Sequence, residues 1–142
     1  MFSTTLSAFA LAAFVAVAAS SVNGSGTVTF GSSVEHITVN VSGSSGRATF
    51  QDKAAGGNYN GQIQINCVNI VGNTATLSGL VTHSNNKSMI GQEGVFQIVD
   101  NGSKKGTPDM ATLINFHQPG IGTDCHGGEF DLTPVKGNFT IR

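Results

Sequence analysis

Two stretches of this sequence hold residues whose types and spacing could do chemistry. The first is VFQIVDNGSKKGTPD (residues 95–109), in which Asp100 and Asp109 flank a basic gap. A Ca²⁺ loop needs several oxygen ligands at alternate positions, whereas here Lys104 and Lys105 lie between the two carboxylates. Asp-Asn-Gly also suits a tight turn, because Asp and Asn bond their own backbone and Gly accepts positive φ. We therefore predict a hairpin connection, with Asp100 and Asp109 only weak candidates for metal ligands.

The second stretch is DCHGGEFD (residues 124–131), where Asp124 and His126 are close in sequence to two further carboxylates. Glu129 and Asp131 fall on the outward phase of a predicted strand, where charges are ordinarily solvated. A metal site requires several ligands that converge in space. Asp124 and His126 are therefore weak candidates as well, and we expect neither a bound metal nor a cofactor.

Neither stretch predicts a catalytic centre. The chain has no Gly-x-Ser-x-Gly elbow, and His36, His83 and His117 are scattered without a recognisable Ser or Asp partner. Paired carboxylates for glycoside hydrolysis depend on a separation in space, so an interior acid–base site stays open as an alternative. The leading expectation is a protein without enzymatic activity.

The N-terminal residues predict export. The run from Leu6 to Ala19 is apolar or small apart from Ser7, and it is too short to span a bilayer comfortably. It ends in Ala-Val-Ala, the small-residue spacing that signal peptidase accepts. We predict a secretory signal peptide over residues 1–19 and a single domain over residues 20–142, with no membrane span in the mature form.

An exported chain with two cysteines favours a disulfide. Cys67 and Cys125 are the only pair, and oxidising compartments permit a bridge. Two distant cysteines supply too few ligands for a Zn site. We predict one intramolecular bond between Cys67 and Cys125.

Charge and aromatic content exclude some partners. The chain has 7 Lys plus Arg against 8 Asp plus Glu, for a net charge of −1. Nucleic-acid binding needs a positive stripe that neutralises several phosphates, and none is visible. The absence of Trp and the single Tyr59 remove the usual aromatic platform for stacking on sugars. A lectin site made of polar side chains remains possible.

Alternating apolar and polar residues dominate the predicted domain. HITVNVS (residues 36–42) places Ile37, Val39 and Val41 on one face, which is the period of a half-buried strand. The same period runs through QIQINC (62–67), ATLSGLV (75–81), EFDLT (129–133) and NFTIR (138–142). Gly72-Asn73 suits a two-residue hairpin. We predict an all-β fold, either an antiparallel sandwich or a flattened up-and-down barrel of eight to nine strands.

Some positions within these runs carry finer expectations. The alternation of QIQINC places Cys67 inward together with Ile63 and Ile65. The fourth and sixth predicted strands, VNIV (68–71) and VFQIV (95–99), are apolar on both faces. Such strands are covered on both sides or contain a phase-shifting bulge.

Sequons for N-glycosylation occur five times. Alternation points some of them outward and places others in turns, so all are accessible in principle. The possible acceptors are Asn23, Asn40, Asn86, Asn101 and Asn138.

The order of motifs resembles a β-rich domain of secreted and cell-surface proteins, mostly bacterial. The resemblance rests on INCVNIVGNTATLSG, then FQIVDNG, then Pro-Asp, and a closing GNFTIR. It spans roughly residues 26–142, although Ser103-Lys104-Lys105-Gly106 replaces the family's usual Glu-Pro-Gly after the turn. The resemblance implies an antiparallel extracellular domain and a structural turn at residues 100–102, and it transfers no catalytic residue.

The sequence therefore predicts a small secreted, non-enzymatic β-domain protein. We expect it to act as a binding or structural module for an unknown extracellular ligand or surface. The alternative is a β-barrel that binds a small ligand, or an enzyme with a polar interior site.

Overall fold

The computed structural model describes residues 20–54, 56–102, 105–120, 125–126 and 130–142. The predicted signal peptide lies outside the described residues. Nine strands account for most of the described chain, and a three-residue 3₁₀ turn lies at Lys87–Met89. The strands are β1 Ser21–Phe30, β2 Ser33–Ser42, β3 Ser45–Ala54, β4 Gly57–Val71, β5 Thr74–Ser84, β6 Glu93–Val99, β7 Met110–Ala111, β8 Asn115–His117 and β9 Thr133–Ile141.

Eight of these strands close into an antiparallel barrel. Strands β1 to β7 follow one another around the wall, and β9 lies between β7 and β1. The pairing of β5 with β6 completes the ring. The short strand β8 pairs with β6 alongside β7. The prediction of an all-β antiparallel fold of eight to nine strands is confirmed, and of the two predicted architectures, sandwich and barrel, the structure has the barrel.

The interior is filled by the apolar phase of the strands. Ile37, Val39 and Val41 of β2 are buried and the residues between them are exposed, as the alternation predicts. Burial of an aliphatic or aromatic side chain contributes about 1.5–3 kcal/mol, so this core is the main source of stability. Its largest apolar members are Phe50, Phe96, Phe139, Ile37, Ile63, Ile65, Leu77 and Ile98.

A bulge in β4 corrects two predictions. QIQINC and VNIV form one 15-residue strand rather than two, and the register to β5 shifts between Ile65 and Cys67. One extra residue inverts the alternation beyond it. Val68 and Ile70 consequently pack against the core, and Cys67 lies on the outer surface, not inward as predicted.

The segment EFDLT does not form the predicted strand. Glu129 lies outside the described residues, residues 130–132 are not in a strand, and β9 begins at Thr133. Phe130 instead contacts the outside of the barrel, where it lines a cleft together with Val95 and Leu113. Residues 130–132, which lead into β9, therefore cover an outer surface of the barrel and do not extend the sheet.

This cover explains the apolar residues on both faces of β6. Phe96 and Ile98 belong to the core, while Val95 is buried at 2% exposure on the other face. The prediction of a strand covered on both sides is confirmed for β6.

The barrel has two distinct ends. The upper end carries the connections β1–β2, β3–β4 and β5–β6, and the lower end carries β2–β3, β4–β5 and β6–β7. At the lower end the backbones of Ser21 and Arg142 exchange two hydrogen bonds of 2.8 and 3.0 Å. The first and last strands are thus joined side by side.

Candidate functional site

Asp100 and Asp109 join β9 to the rest of the barrel. Strand β9 pairs with β7 only at Thr133 and Pro134, and the N–H of Val135 donates to the carbonyl of Asp109 at 2.9 Å. The amides farther along that edge have no strand partner in the described chain. The N–H of Phe139 donates to Asp109 Oδ2 at 2.7 Å. The N–H of Ile141 donates to Asp100 Oδ2 at 2.9 Å. Carboxylate oxygens thus replace the carbonyls that a full-length neighbour would supply.

The other two carboxylate oxygens hold the β6–β7 connection itself. Asp109 Oδ1 accepts the N–H of Asn101 at 2.9 Å, and Asp100 Oδ1 accepts the N–H of Gly102 at 2.7 Å. Strands β6 and β7 pair antiparallel, so the stretch is the hairpin connection that its composition predicts. All four oxygens already accept a backbone donor, and Asp109 is only 3% exposed. We therefore interpret these carboxylates as structural groups.

The predicted disulfide is confirmed. Cys67 on the outer surface of β4 is bonded to Cys125, with 5.7 Å between their Cα atoms. His126 is exposed, and one of its ring nitrogens lies within 4.8 Å of both sulfurs. Because the two sulfurs are bonded to each other, they are not thiolate ligands for a metal. Asp124, the remaining weak candidate in this stretch, lies outside the described residues.

Three histidines lie apart from one another around the wall. The Nδ1 atoms of His36 and His83 are within hydrogen-bonding distance of Thr27 Oγ1 and Thr82 Oγ1, at 3.0 and 3.1 Å. His117 Nδ1 is 2.9 Å from the carbonyl oxygen of the next residue. None of these three contacts is with a serine or a carboxylate.

Two interior carboxyl groups near the upper end were not identified from the sequence. Glu35 and Asp52 are directly paired across β2 and β3. Glu35 is only 1% exposed, and its Oε1 accepts the N–H of Ile114 at 2.8 Å. Burial raises the pKa of Glu35 to about 8; the bond from Ile114 opposes the shift and the charge of Asp52 adds to it. Burial also raises the pKa of Asp52, whose Oδ1 has no hydrogen-bond partner.

The five sequons fall into two groups. Asn23, Asn40 and Asn138 are exposed on the neighbouring strands β1, β2 and β9. Asn86 is half-buried, and its Oδ1 accepts a bond from the N–H of residue 88. Asn101 is also half-buried, and its Nδ2 donates to the carbonyl of residue 108 at 2.8 Å. Two of the predicted acceptors therefore already have structural hydrogen bonds.

The outer surface of β1–β5 is mainly polar and almost uncharged, and it also exposes Val71 and Leu80. We call the outward side chains of these five strands the polar face. By alternation, its only Lys, Arg, Asp or Glu residues are Arg47 and Lys53. The two carboxyl groups on β2 and β3 lie on the inward phase instead.

Two adjoining open clefts cross the polar face. The upper cleft has a volume of about 470 Å³ and the lower cleft about 420 Å³, and Thr38 and Thr49 line both. Hydroxyl, amide and imidazole groups dominate the upper cleft. Its polar lining includes His36, Thr49, Gln51, Asn60, Gln62 and His83.

No family model matches this chain, and neither the curated proteins nor the solved structures include a significant match to it. The resemblance to the secreted and cell-surface β domain therefore stays a prediction. Within the described residues there is no helix with the length and apolar character needed to cross a membrane.

Proposed function

We propose that this protein is a secreted, non-enzymatic binding module that contacts its extracellular ligand through the outside of the barrel. The observation that carries the proposal is the interior, which is packed with large apolar side chains such as Phe50, Phe96 and Phe139. The described clefts on the polar face are open to the outside. The outer surface of the barrel, rather than its interior, is therefore the accessible place for a ligand to bind.

Export is part of the proposal. The Cys67–Cys125 bond is compatible with an oxidising compartment, and residues 1–19 have the composition of a signal peptide. We also propose membership of the β-rich secreted and cell-surface domain on the motifs quoted above. N-glycosylation is proposed at the exposed Asn23, Asn40 and Asn138.

An interior catalytic site is the second candidate, and the pair Glu35 and Asp52 is the observation that favours it. Two carboxyl groups with raised pKa values can serve as acid and base. Access weighs against this function, because Glu35 is 1% exposed and one of its oxygens already holds the N–H of Ile114. The binding module is therefore the better supported of the two.

The test recovers the protein from outside the cells that export it, and measures how the labelled protein binds to the extracellular material of those cells. We expect a mature chain that begins at residue 19 or 20, and saturable binding to the extracellular material of those cells. The double variant Glu35→Gln/Asp52→Asn should bind as the wild type does. Chemical turnover of that material by the wild type, abolished in the double variant, would replace this proposal with the interior enzyme.

A further inference from the structure

The upper cleft presents polar side chains in ordered rows. The strand register places Thr38 opposite Thr49, Thr49 opposite Gln62, and Gln62 opposite His83. Neighbouring strands lie about 4.8 Å apart, so this row extends about 14 Å across β2–β5. A second row runs beside it, formed by His36, Gln51 and Asn60.

Four side chains in these rows have unused hydrogen-bonding capacity. Thr38, Thr49, Gln51 and Gln62 form no side-chain hydrogen bond with any described residue. Each hydroxyl can donate once and accept twice, and each amide offers two donors and an acceptor. Backbone pairing between β2, β3, β4 and β5 holds these four residues in place. Their side chains are therefore fixed in position but remain available to bind a ligand.

The charge of the polar face restricts what can occupy it. A nucleic acid or an acidic polysaccharide requires several cationic partners, and the polar face offers only Arg47 and Lys53. An apolar partner requires a contiguous apolar patch, whereas the rows consist of Thr, Gln, Asn and His. Complementarity therefore favours an uncharged ligand that is rich in hydroxyl groups.

The shape of the site favours a chain-like ligand. The upper cleft continues into the lower one through Thr38 and Thr49, which line both. A single small molecule would leave most of this length empty, while a polymer can place successive units along it.

We propose that the polar face binds a neutral polysaccharide, with Thr38, Thr49, Gln51 and Gln62 hydrogen-bonded to its sugar hydroxyls. This inference rests on the proposed function and names the ligand class. Asn40 lines the lower cleft and belongs to a sequon, so a glycan attached there would compete for that cleft. The upper cleft is therefore the principal contact.

The test measures retention on insoluble polysaccharides. The protein is produced in the bacterial periplasm, which forms disulfides and leaves the sequons unmodified. It is then incubated with cellulose, chitin, β-1,3-glucan, mannan and starch, with heparin beads as the anionic control. We expect saturable retention on at least one neutral polysaccharide, persistence in 0.5 M NaCl, and no retention on heparin. Salt should not release the protein because the contacts are uncharged.

A double variant locates the contact. Thr49→Val/Gln62→Met removes a hydroxyl and an amide while keeping side-chain shape and strand compatibility. We expect it to lower the affinity for the retained polysaccharide at least tenfold. The matched control is Asn115→Ala, which removes an exposed amide from β8, a strand outside the polar face. Thermal unfolding of each variant checks that the fold is intact.

The outcomes separate this inference from the proposed function. Absence of retention on all five neutral polysaccharides overturns the ligand class and leaves the binding module standing. Retention that survives in Thr49→Val/Gln62→Met, or that is lost in Asn115→Ala, overturns the assignment to the polar face. Release of soluble sugars from the polysaccharide overturns the non-enzymatic function itself.

Discussion

The two sides of the barrel are closed in different ways. On one side, β1–β5 are long strands joined by hairpins, and neighbouring backbones pair along most of their length. On the other side, β7 and β8 have two and three residues, and the carboxylates of Asp100 and Asp109 bind amides that no strand reaches. Glu35 does the same for Ile114, which lies between β7 and β8.

The difference separates residues that hold the fold from residues that are available for binding. On the side where backbone pairing between long strands closes the barrel, outward polar side chains such as Thr38 and Gln62 are not needed to hold the strands together. Where short strands close it, Asp109 accepts two backbone bonds at once. Loss of one side chain should therefore matter little on the first side and much on the second.

Asp109→Ala should have the largest effect. It leaves the N–H groups of Asn101 and Phe139 without their acceptor, and each buried unpaired group costs about 1–3 kcal/mol. We expect the free energy of unfolding in urea to fall by about 4 kcal/mol. Asp131→Ala, at an exposed carboxylate, is the matched control and should change little. Equal stabilities for the two variants would contradict the conclusion that side-chain carboxylates hold β9 on this side of the barrel.

Removing the disulfide should come next. Its 58-residue separation corresponds to a chain-entropy contribution of about 4 kcal/mol as an upper figure. We expect Cys67→Ser/Cys125→Ser to lose about 2–4 kcal/mol in urea unfolding. Hydrogen exchange should also quicken at Val95, which lines a cleft together with Phe130. Unchanged stability would mean that the disulfide does not stabilise the barrel.

Glu35 should make stability depend on pH. Its pKa is about 8 in the folded protein against an ordinary value of 4.5, so the folded state binds the proton more tightly. Its contribution to stability is complete below about pH 4.5 and is lost as the pH rises through 8. Between pH 5 and pH 8 we expect the wild type to lose on the order of 3 kcal/mol more than Glu35→Gln. Parallel pH profiles of the two proteins would show that Glu35 does not titrate in this window.

Thr49→Val should have a small effect, because Thr49 lies on the ladder-closed side and its hydroxyl makes no bond within the described protein. Valine keeps the β-branched shape, and exposed substitutions of this kind usually change stability by less than about 0.5 kcal/mol. Urea unfolding next to Asp109→Ala gives the direct contrast between the two sides. A loss above about 1 kcal/mol would show that side chains also hold this side.

Chelation should have the smallest effect. The oxygens of Asp100 and Asp109 already accept backbone amides, so we expect EDTA to leave the melting temperature unchanged. A drop that Ca²⁺ or Zn²⁺ restores would reveal a bound ion, because a ligand of the native state stabilises it by mass action.

The regular part of the fold could be predicted because its residues alternate. Strand β2 and the buried Phe139 follow from period-two patterns alone. Strand β1 is harder to detect because its inward positions include Gly24 and Gly26, where a Cβ would collide with β9. The bulge before Cys67 was one of the two explanations that the doubly apolar run VNIV allowed. Its position could not be predicted, since cysteine continues the apolar alternation of QIQINC.

The polar residues were predictable to different degrees. Glu35 is in phase with Ile37, and Asp52 is in phase with Phe50, so a charge on the apolar phase was the available signal for the interior pair. The role of Asp109 had none, because its partner Phe139 is 30 residues away and only the closed barrel brings them together. The rows of the upper cleft depend on strand register in the same way.

The pairing of β1 with β9 determines when this molecule can finish folding. Hairpins from β1 to β5 need only neighbouring segments of chain, so they can assemble while later residues are still being synthesised. The ring itself needs β9, because only then can Arg142 exchange its two backbone hydrogen bonds with Ser21. Closure of such a long loop has a high entropic cost and is slow. The amide edge of β1 that faces β9 thus stays exposed until β9 has formed, and for that interval it can pair with another copy.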